Sequence, residues 1–236
     1  MRASFGIKKL DEYLGGGLDR NTVNLITGRS GIGKTILASH WAAEGAKNDE
    51  NVVFLLTTLN PKSCESYIGM FKFIKDVYNK IHWRFIDIDA KDLLPLTKDR
   101  LKEKMADYVG IDLKDVDRVV FDSSTSLDLV LADRALYRRA ITYIAQMCYD
   151  NDVTAIFVEE TPMISEWSET RFFAECVIFM DILRIPDGYI RALRILKKYR
   201  NSHPLEWIPY DITDNGIEIK EGRYVRADYE FKYKPD

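Results

Sequence analysis

The sequence predicts an α/β fold with a mostly parallel central sheet that antiparallel hairpins extend toward the C-terminus. In the first part of the chain, apolar strand-like runs alternate with helical patterns, which is the order of a parallel sheet with helical crossovers. A glycine-rich loop joins the first long run directly to a helix. After about residue 175, turn signals separate four strand-like runs, and this pattern is typical of hairpins.

The predicted elements follow one another without a repeat or a linker. Residues 1–20 contain a short helix and a glycine turn, with Ile7, Leu10 and Leu14 on one helical face. The alternation then predicts strands at residues 23–27, 52–57, 83–88, 118–122 and 153–158, and helices at about 34–47, 62–78, 97–108 and 132–149. The four later strands are expected at residues 177–185, 189–197, 207–213 and 217–220. The tail, residues 221–236, has no predicted place.

The length and composition favour one cytoplasmic domain over residues 1–236. The formal net charge is −3, which argues against a protein held to nucleic acid by bulk charge. No stretch approaches the roughly 20 apolar residues of a membrane span, so no membrane partner is expected. Cys64, Cys148 and Cys176 lie far apart in the sequence, and we expect buried, reduced thiols.

Residues 28–35, with the sequence GRSGIGKT, match the phosphate-binding pattern G-x-x-x-x-G-K-[ST] in full. Its three glycines let backbone amides curve around phosphates, and the following helix directs its positive N-terminus at them. Lys34 is expected to neutralise the β- and γ-phosphates, and Thr35 to ligate Mg²⁺. The sequence therefore predicts binding of ATP with Mg²⁺. The predicted nucleotide-contacting residues are Gly28, Arg29, Ser30, Gly31, Ile32, Gly33, Lys34, Thr35 and Ile36.

A carboxylate for the same metal ion is predicted at the end of the apolar run RVVFD. Asp122 ends this run, and ligands of open α/β sheets collect at the carboxyl ends of strands. Asp122 is therefore predicted to hold Mg²⁺ through water, as a Walker-B aspartate does. Asp89, Asp128 and Asp181 are the alternatives, although none of them follows so uniform a buried strand.

At these motifs the chain resembles the KaiC-like branch of the RecA superfamily, which is common in archaea as single-domain ATPases. The similarity covers nearly the whole chain. It is strongest at FGIKKLDEYLGGGL, at the glycine loop, at RVVFDSSTSL, at AECVIF, and at LKKYRNSH followed by YDITDNGIEI. The resemblance implies a RecA-like P-loop fold and a hexameric or related ring with ATP between subunits.

The resemblance also implies two cations that act on the nucleotide of the neighbouring subunit. In the family, a Lys-x-Arg pair on a late strand reaches the γ-phosphate, and Lys198 and Arg200 match it here. Residues i and i+2 of a strand face the same side, so we expect both cations to face one ligand. The alternative is a solvated basic strand end, because Arg191, Arg194 and Lys197 lie nearby.

The chain departs from the family at the place where the attacking water should be activated. The family's Glu-Glu pair is replaced by Thr58 and Leu59, and neither side chain accepts a proton at neutral pH. Glu65 lies a few residues further on, but not at the family's position. A second pair, Glu159 and Glu160, ends a later strand. Glu160 matches the family's polar sensor and is the candidate base; a sensor or a solvated strand end are the alternatives.

Three functions stay open on this basis: a slow regulatory or assembly ATPase, a non-hydrolysing ATP-binding switch for a protein partner, and a DNA-repair or recombination accessory. The lost Glu-Glu pair favours the second function, or at least a low rate. DNA-binding loops would be residues 123–133, which have no Lys or Arg, and residues 161–174, where Arg171 is the one cation. Phosphate contacts need cations, although Trp167, Phe172 and Phe173 offer surfaces on which bases can stack; interface or core packing is the alternative use of these rings.

Overall fold

The helices and strands follow the predicted alternation in the computed structural model, which describes residues 2–161, 163–164, 168–186 and 188–220. The strands are β1 (Arg2–Ala3), β2 (Leu18–Asp19), β3 (Val23–Gly28), β4 (Val52–Leu56), β5 (His82–Phe85), β6 (Arg118–Asp122), β7 (Thr154–Glu160), β8 (Cys176–Ile185), β9 (Gly188–Lys198), β10 (Ile208–Thr213) and β11 (Gly216–Ile219). The helices are α1 (Lys8–Tyr13), α2 (Lys34–Lys47), α3 (Pro61–Tyr67), α4 (Ala90–Leu93), α5 (Lys98–Val109), α6 (Ser124–Leu131), α7 (Arg134–Asp150) and α8 (Glu169–Phe173).

Among the described residues, nine strands form the central sheet in the order β11-β10-β9-β8-β3-β7-β6-β4-β5. All neighbours from β8 to β5 are parallel, whereas β8, β9, β10 and β11 pair with one another in antiparallel fashion. The predicted α/β fold with C-terminal hairpins is therefore confirmed. One detail differs: β8, the first of the four later strands, is itself parallel to β3, so the antiparallel part begins at β9.

The central strands are buried on both faces, and their side chains alternate between two apolar cores. In β4, Phe54 and Leu56 belong to the core that contains α2, whereas Val53 and Leu55 belong to the core that contains α5 and α7. Trp41 of α2 is among the largest fully buried side chains. Because helices cover both faces, the strands are continuous apolar runs rather than alternating ones, and this pattern made them recognisable in the sequence.

The helix predicted at residues 62–78 is shorter in the structure and ends at Tyr67. Beyond it, Phe71 and Phe73 both pack against the core that contains α2, and the ring of Phe73 stacks on His40 with 3.6 Å between centroids. Residues two apart do not share a helix face. The packing of both phenylalanines therefore excludes a continuous helix, which the apolar pattern alone had favoured.

A helix that was not predicted, α6, follows β6. Its buried side chains include Leu127 and Leu131, which are four residues apart and so lie on one face. The helix ends at Ala132, whose φ is 48°, and Asp133 then caps α7 by accepting a hydrogen bond from the Leu136 amide at 2.8 Å. The apolar stretch of α6 spans only eight residues, which is too short for its periodicity to distinguish a helix from a loop.

Several other expectations concern the chain as a whole. Cys64, Cys148 and Cys176 are buried and unbridged, as expected. None of the helices described by the structure is long and apolar enough to cross a membrane. The tail, residues 221–236, lies outside the described residues, and the assignment of residues 1–236 to one domain stays a prediction.

Candidate functional site

The glycine loop lies at the carboxyl end of β3, which runs between β7 and β8. The chain leaves β3 at Gly28 and enters α2 at Lys34. A cavity of about 420 Å³ opens beside this loop, at the ends of β4, β6 and β7. Its walls come from the loop, these strand ends, α3 and α6: Ser30, Gly31, Gly33, Lys34, Thr35, Thr58, Leu59, Tyr67, Asp122, Ser123, Thr125, Ser126, Leu129 and Glu160.

The three loop glycines differ in backbone conformation and in the space available for a Cβ. Gly31 has a φ of 73°, and no atom lies within 4 Å of the position that a Cβ would occupy. Gly33 has a φ of 107°, and its Cβ would lie 3.0 Å from Ile212 Cδ1. For Gly28 a Cβ would lie 2.0 Å from the carbonyl oxygen of Met180. Gly28 is therefore required by the close approach of β8, and its part in a phosphate cradle stays a prediction.

Three other residues of the predicted contact set direct their side chains away from the cavity. Ile32 and Ile36 are each 1% exposed and belong to the apolar core. Arg29 Nε forms an ion pair with Asp181 Oδ1 of β8 at 2.9 Å. These residues are therefore available to a ligand in the cavity through their backbone rather than through their side chains.

Lys34 is buried at the base of the loop. Its ammonium group donates hydrogen bonds to the carbonyl oxygens of Gly28 at 2.9 Å and Arg29 at 2.8 Å, and it lies 3.9 Å from Glu160 Oε1. Burial lowers the pKa of Lys34, and the nearby charges of Glu160 and Asp122 oppose that shift. The lysine is therefore a partly desolvated cation, which interacts more strongly with an anion than an exposed lysine does.

Thr35 and Asp122 are brought together from elements far apart in the sequence. The Thr35 hydroxyl donates a hydrogen bond of 2.6 Å to Asp122 Oδ2. Burial raises the pKa of Asp122 to about 6, against the opposing effects of the Thr35 hydrogen bond and the charge of Lys34. A buried carboxylate beside a hydroxyl supplies the hard oxygen ligands that Mg²⁺ prefers, so the donor set fits the predicted ion.

The three alternative aspartates do not line this cavity. Asp89 caps α4 by accepting a hydrogen bond from the Lys91 amide at 2.8 Å. Asp181 pairs with Arg29, as described above, and Asp128 lies within α6. Only Asp122 of the four candidates shares a cavity with Lys34 and Thr35.

The end of β4 presents no carboxylate to the cavity. Thr58 and Leu59 line it, whereas Glu65 does not. Among the described lining residues, the acidic ones are Asp122 and Glu160. The Glu160 side chain is 50% exposed. Glu159 is buried instead near Thr170 and Ser168, and burial raises its pKa. The two glutamates therefore occupy different environments, and only Glu160 reaches the cavity.

The family model described as "ATPase: KaiC" matches residues 3–224 of the chain. This chain belongs to the KaiC family. A UPF0273 protein of Aeropyrum pernix is 25% identical over 240 residues, which cover 95% of this chain and 96% of that protein. The circadian clock protein KaiC3 of Synechocystis is 28% identical over 231 residues, which cover 91% of this chain and 44% of that protein.

A solved structure agrees with the family assignment. The crystal structure of a KaiC-like protein from the archaeon Pyrococcus horikoshii superposes with a TM-score of 0.76 at 25% identity, and covers 93% of this chain and 99% of that one. The predicted KaiC-like, RecA-like fold is confirmed by this similarity together with the family match. Membership of the KaiC family implies nucleotide binding.

The two cations of the family's Lys-x-Arg pair do not lie on one strand face here. Strand β9 ends at Lys198, and Arg200 has a φ of 60° in the turn that follows. The Lys198 ammonium is hydrogen-bonded to Asp19, whereas Arg200 Nη1 donates to Glu175 Oε2 at 2.5 Å. The alternation argument for Arg200 is therefore wrong, and within one chain neither cation lines the cavity.

The two segments proposed as DNA-binding loops take other forms. Residues 123–133 form mainly α6. In the second segment, Arg171 is 9% exposed, its Nη1 donates to the Ile164 carbonyl at 2.7 Å, and its guanidinium lies over the Phe179 ring. Trp167 lies outside the described residues. Arg171, the cation of this segment that could contact a DNA phosphate, is therefore buried against the protein interior.

Sequence reasoning missed a set of hydroxyl groups beside the cavity. Thr57 Oγ1 lies 2.7 Å from Ser126 Oγ and accepts a hydrogen bond from the Ser123 amide at 2.9 Å. Thr125 Oγ1 accepts from the Glu160 amide at 2.9 Å. Their place in the sequence was the one available indication, because these residues follow the buried strands β4 and β6. Serine and threonine are too common after strands for that indication to single them out.

The different surroundings of Gly28 and Gly31 predict different costs of substitution. Gly28→Ala should lower the free energy of unfolding by roughly 3 kcal/mol or more, because its Cβ meets the β8 backbone. Gly31→Ala should cost about 1 kcal/mol, since only its left-handed φ opposes the change. Urea unfolding of both variants measures the difference. Equal losses would contradict the assignment of Gly28 to sheet packing.

Proposed function

We propose that this KaiC-family protein binds ATP with Mg²⁺ in the glycine-loop cavity and acts as a slow ATPase with a regulatory or assembly role. The proposal rests on one observation: Lys34, Thr35 and Asp122 line the same cavity beside the glycine loop, and no atom blocks the space next to Gly31. A cation, a hydroxyl and a carboxylate in this arrangement suit a phosphate chain and its metal ion.

The loop and α2 supply the binding groups for phosphate. Residues 29–33 connect β3 to a helix of 14 residues, whose N-terminal amides and dipole favour an anion. Lys34 lies at the start of this helix and is held at the loop by its bonds to two backbone carbonyls. Its ammonium group has a third proton to donate to a phosphate oxygen.

Mg²⁺ would be held by the Thr35 hydroxyl and, through water, by Asp122. When bound, the ion neutralises phosphate charge and orients the phosphate chain. Asp122 lies at the end of β6, and a bound cation would offset the cost of burying its carboxylate charge. The fit of these two oxygen donors supports the metal assignment, and Asp122 lies outside the phosphate loop.

A low rate of hydrolysis is proposed because no carboxylate stands at the end of β4. Thr58 and Leu59 cannot accept a proton from water, so Glu160 is the remaining candidate base. Its carboxylate lies 3.9 Å from Lys34, which offsets part of the repulsion that a phosphate would exert on it. Glu160 thus acts either as a weak substitute base or as a sensor of the phosphates.

The lack of a carboxylate at the end of β4 also supports a second candidate, an ATP-binding switch that does not hydrolyse ATP and regulates a protein partner. The two candidates share every binding residue and differ only in turnover. The DNA-accessory hypothesis is not carried further, because residues 123–133 have no Lys or Arg and Arg171 is buried.

We further propose that ATP lies between subunits of a ring, as the family resemblance implies. Arg200 supports this proposal, because its side chain is 61% exposed and pairs with one carboxylate, Glu175, at the surface. A neighbour's phosphate can compete for an exposed guanidinium. Lys198 has a side chain that is 1% exposed and pairs with Asp19, so its participation requires that this ion pair opens.

Nucleotide binding should depend on Lys34. Lys34→Ala should weaken Mg-ATP binding by at least about tenfold, the loss expected for one charge-assisted contact. Isothermal titration calorimetry measures the affinity. Lys47→Ala is the matched control, because Lys47 is an exposed lysine at the other end of the same helix. Equal affinities of the two variants would remove the phosphate-loop assignment.

Assembly should respond to ATP through Arg200. If the nucleotide lies between subunits, ATP should shift the protein to a larger species in sedimentation velocity. Arg200→Ala should raise the ATP concentration for half assembly by about tenfold, because a guanidinium–phosphate contact is lost. Arg184→Ala, at another exposed arginine, serves as the control. A protein that stays monomeric in saturating ATP would contradict the ring.

Turnover should lie below roughly 1 s⁻¹, the low end for typical enzymes. Thr58→Glu should raise the rate by about a hundredfold if only the base is missing. Glu160→Gln should abolish the remaining rate if Glu160 is the base, and should leave it unchanged if Glu160 is a sensor. Phosphate release measures all three rates. A fast parent enzyme that is insensitive to Glu160→Gln would show that water is activated elsewhere.

A further inference from the structure

The hairpin of β10 and β11 contacts the glycine loop and its helix at three points. The Tyr210 hydroxyl donates a hydrogen bond of 2.7 Å to the carbonyl oxygen of Ile32. The side chains of Ile212 and Ile217 pack over Gly33, so that a Cβ there would lie 3.0 Å and 3.4 Å from their Cδ1 atoms. These contacts join the C-terminal part of the sheet to the loop.

The third contact reaches α2 itself. His40 Nε2 accepts a hydrogen bond from the Ile217 amide at 3.0 Å, and burial lowers the pKa of His40 to about 3. The imidazole is therefore neutral at physiological pH and keeps its acceptor nitrogen. The hairpin is thus hydrogen-bonded both to the loop and to the helix that follows it.

The Tyr210 contact determines the orientation of a peptide group in the loop. The carbonyl of Ile32 and the N–H of Gly33 belong to the same planar peptide, and in a trans peptide they point in opposite directions. A hydrogen bond that holds the Ile32 carbonyl toward β10 therefore directs the Gly33 N–H away from β10. Gly33 is a lining residue of the cavity, so the orientation of this peptide affects the cavity wall.

The ring of Tyr210 packs in the apolar core as a phenylalanine ring would, so its hydroxyl is the feature that needs an explanation. Its ring is 0% exposed within the apolar core. Burial raises the pKa of Tyr210, so the hydroxyl remains a neutral donor. Among the described residues, this hydroxyl forms one hydrogen bond, to the Ile32 carbonyl. The contact to the loop is therefore what distinguishes tyrosine from phenylalanine at this position.

We propose that Tyr210 is a positioning residue for nucleotide binding: it holds the Ile32 carbonyl so that the Gly33 amide is pre-oriented to donate to a phosphate oxygen. This inference rests on the proposed function, because it concerns the same cavity. Without the hydroxyl, the peptide is free to adopt other orientations, and part of the binding free energy is spent in ordering it.

The test compares Tyr210→Phe with Tyr137→Phe. Tyr137 is a matched control, because it is a buried tyrosine whose hydroxyl bonds Thr170 at 3.0 Å in the other apolar core. Both variants lose the hydrogen bonding of one buried hydroxyl, which for Tyr137 also includes Ser124, and both should lose thermal stability without nucleotide. Only Tyr210→Phe should bind Mg-ATP more weakly, by about threefold to tenfold, the factor that one hydrogen bond supplies. Calorimetric titration with Mg-ATP measures the affinities.

A second readout does not require nucleotide. Amide hydrogen exchange of a peptide covering residues 28–36 should be faster in Tyr210→Phe than in the parent and in Tyr137→Phe, because the loop loses its restraint. If Tyr210→Phe does not fold, Ile212→Val replaces it; this variant loosens the packing over Gly33 and should lower the affinity by about twofold.

The outcomes separate the two proposals. A parent protein that does not bind Mg-ATP overturns the proposed function and this inference with it. A parent that binds Mg-ATP, together with a Tyr210→Phe variant whose affinity equals that of Tyr137→Phe, overturns the positioning role alone. Weaker binding and faster exchange confined to Tyr210→Phe support the role of Tyr210.

Discussion

The close approach of β3 and β8 at Gly28 is the constraint on which the geometry of the site depends. Gly28 leaves no room for a Cβ beside the Met180 carbonyl, so the end of β3 is held tightly between β7 and β8. The loop starts from this fixed point and returns to α2 within a few residues. Lys34 and Thr35 therefore begin the helix at the ends of the neighbouring strands, where β6 delivers Asp122. An interaction within the sheet thus determines where the charged groups of the cavity lie.

The two halves of the sheet contribute in different ways. The parallel strands β4, β6 and β7 end at the cavity and present Thr58, Asp122 and Glu160 to it. The antiparallel strands contribute no lining residue, but β10 and β11 contact the loop and α2 through Tyr210, Ile217 and their neighbours. The residues that line the cavity and the residues that hold the loop therefore come from different strands. The cavity lies at the carboxyl ends of the parallel strands, whereas the hairpin of β10 and β11 packs against the loop.

The end of β4, where the family resemblance implies a pair of carboxylates, carries Thr58 and Leu59 instead. The KaiC-like fold is present, the Thr35 hydroxyl contacts Asp122, and hydroxyl groups lie next to Thr58, where the resemblance implies a carboxylate. Thr57 and Ser126 form a hydrogen bond with each other, and Ser123 donates its amide to Thr57. These bonds satisfy the polar groups of the strand ends without any acidic side chain. A binding site can therefore persist while the means of activating water is reduced, which is the physical basis for proposing low turnover.

The sequence by itself determined the features that depend on neighbouring residues. Continuous apolar runs predicted the buried parallel strands, and the spacing within residues 28–35 predicted the loop with Lys34 and Thr35. The uniform apolar run before Asp122 distinguished it from the other aspartates as the predicted metal-binding carboxylate. Only the tertiary structure decided the features that depend on long-range contacts: the reason for Gly28, the separate partners of Lys198 and Arg200, and the contact of Tyr210 with Ile32. Such contacts leave no periodic pattern in the sequence, because the residues that make them are brought together only when the sheet is assembled.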